Sequence, residues 1–198
     1  MPIFGDILLI HIPKTGGTSV EQYFSKKTNT RLNIDCMFST IPYKGKYPQH
    51  YTYLEALAKK DELNISITDN TKILTIVRNP YDRFISALIY NGKVTDNTPT
   101  QDMYDIIATI FKCKIIPVHF LPQYKFIVNN DDSLIENIKI LKTESLEKDM
   151  HLNGWKDFNV YTNKGKYRPR YDKILDNRSI ELVREFYKKD FEIFNYPV

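Results

Sequence analysis

Apolar residues along the chain follow two rhythms. Residues 6–12 (DILLIHI) are a short β-branched run that stops at Pro13, the pattern of a buried strand. Beyond the segment 13–19 (PKTGGTS), Val20, Tyr23 and Phe24 fall at i, i+3 and i+4 and predict an amphipathic helix. Lys72–Val77 (KILTIV) reads as a second buried strand. Asn79 is then a natural N-cap and Pro80 a natural first helical residue. Tyr81, Phe84, Ile85 and Leu88 make one stripe down the helix that follows, and Asn91-Gly92 ends it. Similar spacing predicts helices over 51–60 and 102–111, and strands over 124–128 and 137–141. Residues 177–189 predict a helix with Ile180, Val183 and Tyr187 on one face. Residues 28–49 and 156–170 show no period, carry Gly, Pro and Asn, and read as loops.

Strands that alternate with helices point to an α/β layer fold, a mostly parallel central sheet flanked by helices. No repeat, low-complexity tract or linker breaks the chain, so the expectation is one domain over residues 1–198.

Composition sharpens this picture. Hydrophobic residues at 42% and aromatics at 13% of 198 residues suit a packed core and exclude a disordered chain. Lys+Arg 28 against Asp+Glu 24 leaves a formal +4, without the basic blocks of a nucleic-acid arm. Polynucleotide is therefore not an expected partner, but a local anion site is if the charge is focused. The longest apolar run near the start, Ile7–Ile10, is far too short to span a bilayer. It also lacks the flanks of a signal peptide. The expected setting is soluble: cytoplasmic, or a lumenal domain trimmed from an anchor. Cys36 and Cys113 form no CxxC or His/Cys cluster, which excludes a disulfide framework and a zinc site of usual spacing. They are expected reduced and buried, with a single disulfide as the alternative.

Glycine is scarce, 7 residues, so the adjacent pair Gly16-Gly17 needs a reason. One is chemical. Between a strand and a helix, glycines let the backbone turn tightly and aim N–H groups at an anion. The helix presents its positive end to the same spot. Lys14 adds a full charge, and Thr15, Thr18 and Ser19 add hydroxyls. This is not a Walker A loop, because Lys14 precedes both glycines instead of following the second. The other reading is an ordinary βα turn that holds two glycines. A second element tips the balance. Arg78 stands at the carboxyl end of the strand Lys72–Val77, the ligand edge of an open α/β sheet. A guanidinium there suits phosphate. Ser86 lies off the apolar stripe of the next helix, on the side of Asp82 and Arg83. One ligand with two separated phosphates would use both elements.

These residues resemble a known family. IHIPKTGGTS is similar to the 5′-phosphosulfate-binding loop of sulfotransferases, and IVRNPYDRFISAL to their 3′-phosphate-binding motif. More narrowly, the chain resembles the Golgi-type carbohydrate sulfotransferases and their bacterial and viral relatives. His119-Phe120-Leu121-Pro122-Gln123 is similar to the HxxPQ segment of that branch. The run from Thr143 to Leu146 and the run from Tyr187 to Tyr196 are similar to its C-terminal pattern. The chain departs from the branch in being short, in lacking a membrane anchor, and in having no obvious acceptor-binding insertion.

The resemblance implies a three-layer, P-loop-like fold and transfer of a sulfuryl group from 3′-phosphoadenosine 5′-phosphosulfate (PAPS) to a hydroxyl acceptor, a carbohydrate foremost. PAP is released and no metal is needed. It implies that Lys14 meets the bridging oxygen between phosphate and sulfate. Thr15, Gly16, Gly17, Thr18 and Ser19 would hold the 5′-phosphate, and Arg78 and Ser86 the 3′-phosphate. Lys164 and Lys166 fall where relatives keep a loop over the 3′-phosphate, and a solvated basic loop is the alternative there. The acceptor needs a general base, and histidine suits neutral pH. His50, which reads as opening the next helix (HYTYLEAL), is the first choice, since carbohydrate relatives often place their base histidine between the two motifs. His119 is the second, as a residue lining the acceptor pocket. His11 reads as a satisfied core histidine and His151 as surface. Glu55 and Glu144 are carboxylate alternatives. Rival functions are a P-loop kinase, a non-catalytic PAP-binding module, and a sulfotransferase for tyrosine or small phenols.

Overall fold

A computed structural model describes residues 3–32, 47–63, 66–95, 97–160 and 171–198. Its helices and strands run β1 (Ile3–Phe4), β2 (Ile7–Ile10), α1 (Gly17–Thr28), α2 (Tyr53–Ala58), β3 (Lys72–Val77), α3 (Pro80–Tyr90), α4 (Met103–Phe111), β4 (Lys139–Lys142), α5 (Leu146–Leu152), α6 (Asn177–Phe186) and α7 (Lys188–Ile193). The chain is α/β, as expected. It divides into two units, Met1–Val77 with Gln123–Lys164, and Arg78–Pro122 with Gly165–Val198.

The first unit holds the sheet, in the order β1-β2-β3-β4. β1 and β2 form an antiparallel hairpin through Gly5, whose φ of 60° suits the tight turn. β2, β3 and β4 are parallel, with Ile7 opposite Lys72 and Leu74 opposite Lys139. Ile7, Leu9, Leu74, Ile76 and Leu141 pack on Val20, Tyr23 and Phe24 of α1 and on Leu146 and Met150 of α5. Leu8, Ile10, Ile73 and Val77, which alternate with them, are buried too. Burial of both faces explains why these strands read as continuous apolar runs.

The second unit is helical. Asn79 caps α3 as expected, its Oδ1 accepting from the N–H groups of Tyr81 (3.0 Å) and Asp82 (3.4 Å). The stripe of α3 packs with Met103, Ile107 and Ile110 of α4 and Val183 of α6.

Four expectations need correction. Residues 124–128 are not a strand. Gln123–Phe126 is a 3₁₀ turn, followed by a single bridge from Val128 to Leu134. The helix expected over 51–60 begins at Tyr53, because Thr52 and Glu55 form a capping box. The helix over 177–189 breaks at Tyr187, which ends α6 and starts α7. Cys113 is exposed, not buried. Cys36, Lys164, Lys166 and most of the two expected loops lie outside the described residues.

Candidate active site

The loop after β2 departs from relaxed geometry at two points. Lys14 has φ 69° and Gly16 φ 88°, both left-handed. A lysine in that region costs about 1–2 kcal/mol, and such strain concentrates at functional sites. Gly16 is the N-cap of α1. No side chain caps this helix, and no acidic residue sits in its first turn. The positive end of a 12-residue helix is thus offered to an anion beside Lys14.

The two glycines answer different demands. At Gly16 the backbone dihedral is the constraint, since an added Cβ would have room, 3.7 Å from Leu146 Cδ2. At Gly17 space is the constraint, since a Cβ would lie 2.5 Å from His11 Cδ2 and 2.7 Å from Nε2.

Hydroxyls lock the loop from within. Thr15 is fully buried and donates to the Ile12 carbonyl at 2.8 Å. Its hydroxyl is thus spent on the loop, which leaves backbone for an anion. Thr143, just after β4, places its hydroxyl 2.5 Å from the Thr15 carbonyl and 3.0 Å from the Val77 carbonyl. One side chain therefore joins the loop to the end of β3, the residue before Arg78.

Beneath the loop lies a buried polar cluster. Glu21 of α1 is 0% exposed and His11 is 4% exposed. His11 Nδ1 donates to Glu21 Oε1 at 2.7 Å, and Gln49 Nε2 donates to Glu21 Oε2 at 3.0 Å. His50 Nδ1 is 3.2 Å from the His11 carbonyl. A carbonyl only accepts, so Nδ1 carries the proton and the lone pair of the neutral His50 ring is on Nε2. The two rings meet edge to face, with centroids 4.9 Å apart.

In the second unit, Arg78 directly follows β3 and Ser86 is half-buried on α3. Arg83 does not share the open side of the helix with Ser86, as the stripe had suggested. It is 1% exposed, and its Nη2 donates to the His119 carbonyl at 3.3 Å. Burial lowers the Arg83 pKa, while Tyr187 and Asp190 favour its charge. Tyr187 donates to the Phe120 carbonyl at 2.7 Å, so buried polar groups hold the backbone of the HFLPQ segment. Burial also pushes the Tyr187 hydroxyl pKa up. The His119 ring lies against Tyr90, with centroids 4.9 Å apart.

A family model described as "Sulfotransferase family" matches residues 5–197, nearly the whole chain and both units. The chain belongs to the sulfotransferase family. No curated protein and no solved structure matches it significantly. Membership implies sulfuryl transfer and the P-loop-like fold expected from the motifs.

In this sulfotransferase, Lys14, Thr15, Gly16, Gly17, Thr18, Ser19 and His50 lie in the first unit, and Arg78, Ser86 and His119 in the second. His50 does not open a helix as expected. It ends the short turn Pro48–His50 before α2. His11 is a satisfied core histidine. His151 is half-buried, not surface, and donates from Nε2 to the Phe158 carbonyl at 3.1 Å. Among the described residues no helix is long and apolar enough to cross a membrane.

Sequence reasoning missed Glu21, Gln49 and Thr143. For Glu21 a signal was present: it shares a helical face with Gly17, Val20 and Phe24, so a carboxylate stands on the apolar stripe. Gln49 had none, and Thr143 had only its place in the family-like run from Thr143 to Leu146, because their partners are 28 and 128 residues away.

Proposed function

We propose that this sulfotransferase moves a sulfuryl group from PAPS to a hydroxyl acceptor, with carbohydrate as the favoured class, and that residues 1–198 work as one catalytic domain. The observation that carries the reading is the uncapped N-terminus of α1, without an acidic residue in its first turn, led by a strained Lys14. Such a donor set fits the 5′-phosphosulfate. Arg78, placed at the end of β3, and Ser86 suit the 3′-phosphate. The exposed Tyr90 ring beside His119 offers a flat apolar face of the kind that accommodates a sugar.

His50 is the proposed base. Its Nε2 takes the acceptor proton as the acceptor oxygen bonds to sulfur. Lys14 neutralises the charge left on the 5′-phosphate as the sulfur–oxygen bond to it breaks. In-line transfer of this kind needs positioning and charge stabilisation more than covalent participation by the protein.

Calorimetry with PAP tests the reading. Arg78→Ala should weaken PAP by about 2–4 kcal/mol, the scale for removing a buried charge partner. His50→Ala should lower turnover and leave PAP affinity nearly intact. If the wild-type chain does not bind PAP and Lys14→Ala retains full activity, the proposal fails. ATP with Mg²⁺ displacing PAP would favour a kinase. PAP binding with no transfer to glycan or phenol would favour a binding module.

A further inference from the structure

A fully buried carboxylate on an apolar helix face is costly, and a leucine would pack there without that cost. Glu21 is such a group. Its carboxylate meets two side chains, His11 at 2.7 Å through Oε1 and Gln49 at 3.0 Å through Oε2. The effect is to lock the His11 ring. That ring fills the space against Gly17 that a side chain would need, and the backbone carbonyl of the same residue holds His50 Nδ1 at 3.2 Å. One histidine thus touches both the glycine loop and the histidine that follows Gln49.

We infer that Glu21 and Gln49 are positioning residues for sulfuryl transfer, acting through His11 to hold His50 in register with the glycine loop. The inference rests on the reading of His50 as the base. Neither Glu21 nor Gln49 reaches the reactants. Their carboxylate and amide set the pose of His11. The His11 carbonyl then fixes His50 with its proton on Nδ1 and its lone pair on Nε2. A misplacement of about 1 Å at a reacting group can cost roughly 100-fold in rate, so a rigid frame behind the base has catalytic value.

The test is an exchange of the two side chains. Glu21→Gln keeps the shape but sets an amide against the Gln49 amide. Turnover should fall about 10- to 100-fold while PAP affinity stays within about threefold. The exchange Glu21→Gln with Gln49→Glu returns a carboxylate to the cluster, since position 49 already reaches within 3.3 Å of His11 Nδ1. It should recover most of the lost turnover. Gln49→Ala, which spares the His11–Glu21 contact, should lose less than Glu21→Gln. Side-chain ¹⁵N spectra of His50 supply a readout independent of activity: the Nδ1–H form should dominate in the wild type and lose its dominance in Glu21→Gln. Unchanged turnover and spectrum in Glu21→Gln would overturn the inference. So would a loss that the exchange does not rescue and that PAP affinity shares equally. His50→Ala with wild-type turnover would instead remove the base assignment, and the spectrum would still decide whether Glu21 fixes that ring.

Discussion

Replacing Gly17 by alanine drives a methyl group into the His11 ring. The new Cβ would lie 2.5 Å from Cδ2 and 2.8 Å from Cγ, whereas ordinary contact begins at 3.4 Å, so the ring must retreat by roughly 0.9 Å. It has little freedom to do so, because Nδ1 is 2.7 Å from the buried Glu21 carboxylate. Overpacking of this kind costs about 1–3 kcal/mol. Loss of a hydrogen bond to a charged group costs about 1.5–3 kcal/mol more. We expect Gly17→Ala to destabilise the chain by about 2.5–6 kcal/mol, a fall in Tm of roughly 5–20 °C. Gly16→Ala makes the same chemical change one residue earlier, where a Cβ has 3.7 Å of clearance and the obstacle is φ 88°. It should cost about 1–2 kcal/mol. Urea unfolding followed by circular dichroism ranks the two. A double-mutant cycle isolates the cause: with His11→Ala as background the ring is gone, and the Gly17→Ala increment should shrink below about 0.5 kcal/mol. An equal increment in both backgrounds refutes the steric account.

Other expectations follow from the same contacts. Thr143→Val removes the hydroxyl shared by the Thr15 and Val77 carbonyls and should weaken PAP binding about 3- to 10-fold by calorimetry, at a stability cost of about 1–3 kcal/mol; unaltered affinity would separate this staple from the loop's ligand shape. Arg83→Met removes the buried charge that Tyr187 and Asp190 favour and should cost about 3–5 kcal/mol, part of which Asp190→Asn recovers; a single variant as stable as the wild type would refute the charge account. The hydrogen bonds from Lys27 and then Tyr23 hold the Asp157 pKa at about 2, below its ordinary 3.8. A depressed folded-state value stabilises above pH 3.8 and is lost as pH falls through 2, so the Tm gap between wild type and Asp157→Asn should close between pH 4 and 2. A constant gap across that range counts against it.

Much of the framework was legible because local chemistry and burial agreed. The apolar run, cap and proline around residues 72–80 place β3 and α3 as expected. They diverge at residues 124–128, where Phe126, Ile127 and Val128 are buried without a sheet partner beyond one bridge. Burial alone made that segment read as strand. The stripe on α3 separated apolar from polar residues but could not distinguish an arginine facing solvent from one drawn inward by Tyr187 and Asp190 of a distant segment. The glycine pair was legible as a loop. Its second cause, the ring under Gly17, needed the chain to bring His11 back against α1. In the same way His50 could be named as a base, while its orientation depends on a carbonyl 39 residues earlier.

The hydroxyl of Thr143 has a consequence for biosynthesis. The loop that starts at Pro13 is made before its staple, since Thr143, just after β4, follows Thr15 by 128 residues. A nascent chain arrested before residue 139 lacks the third parallel strand and cannot close the turn behind Lys14. Long-range parallel pairing of this kind is slow to form. The glycine loop should therefore mature only after β4 has been made, which disfavours premature capture of an anion by an unfinished chain.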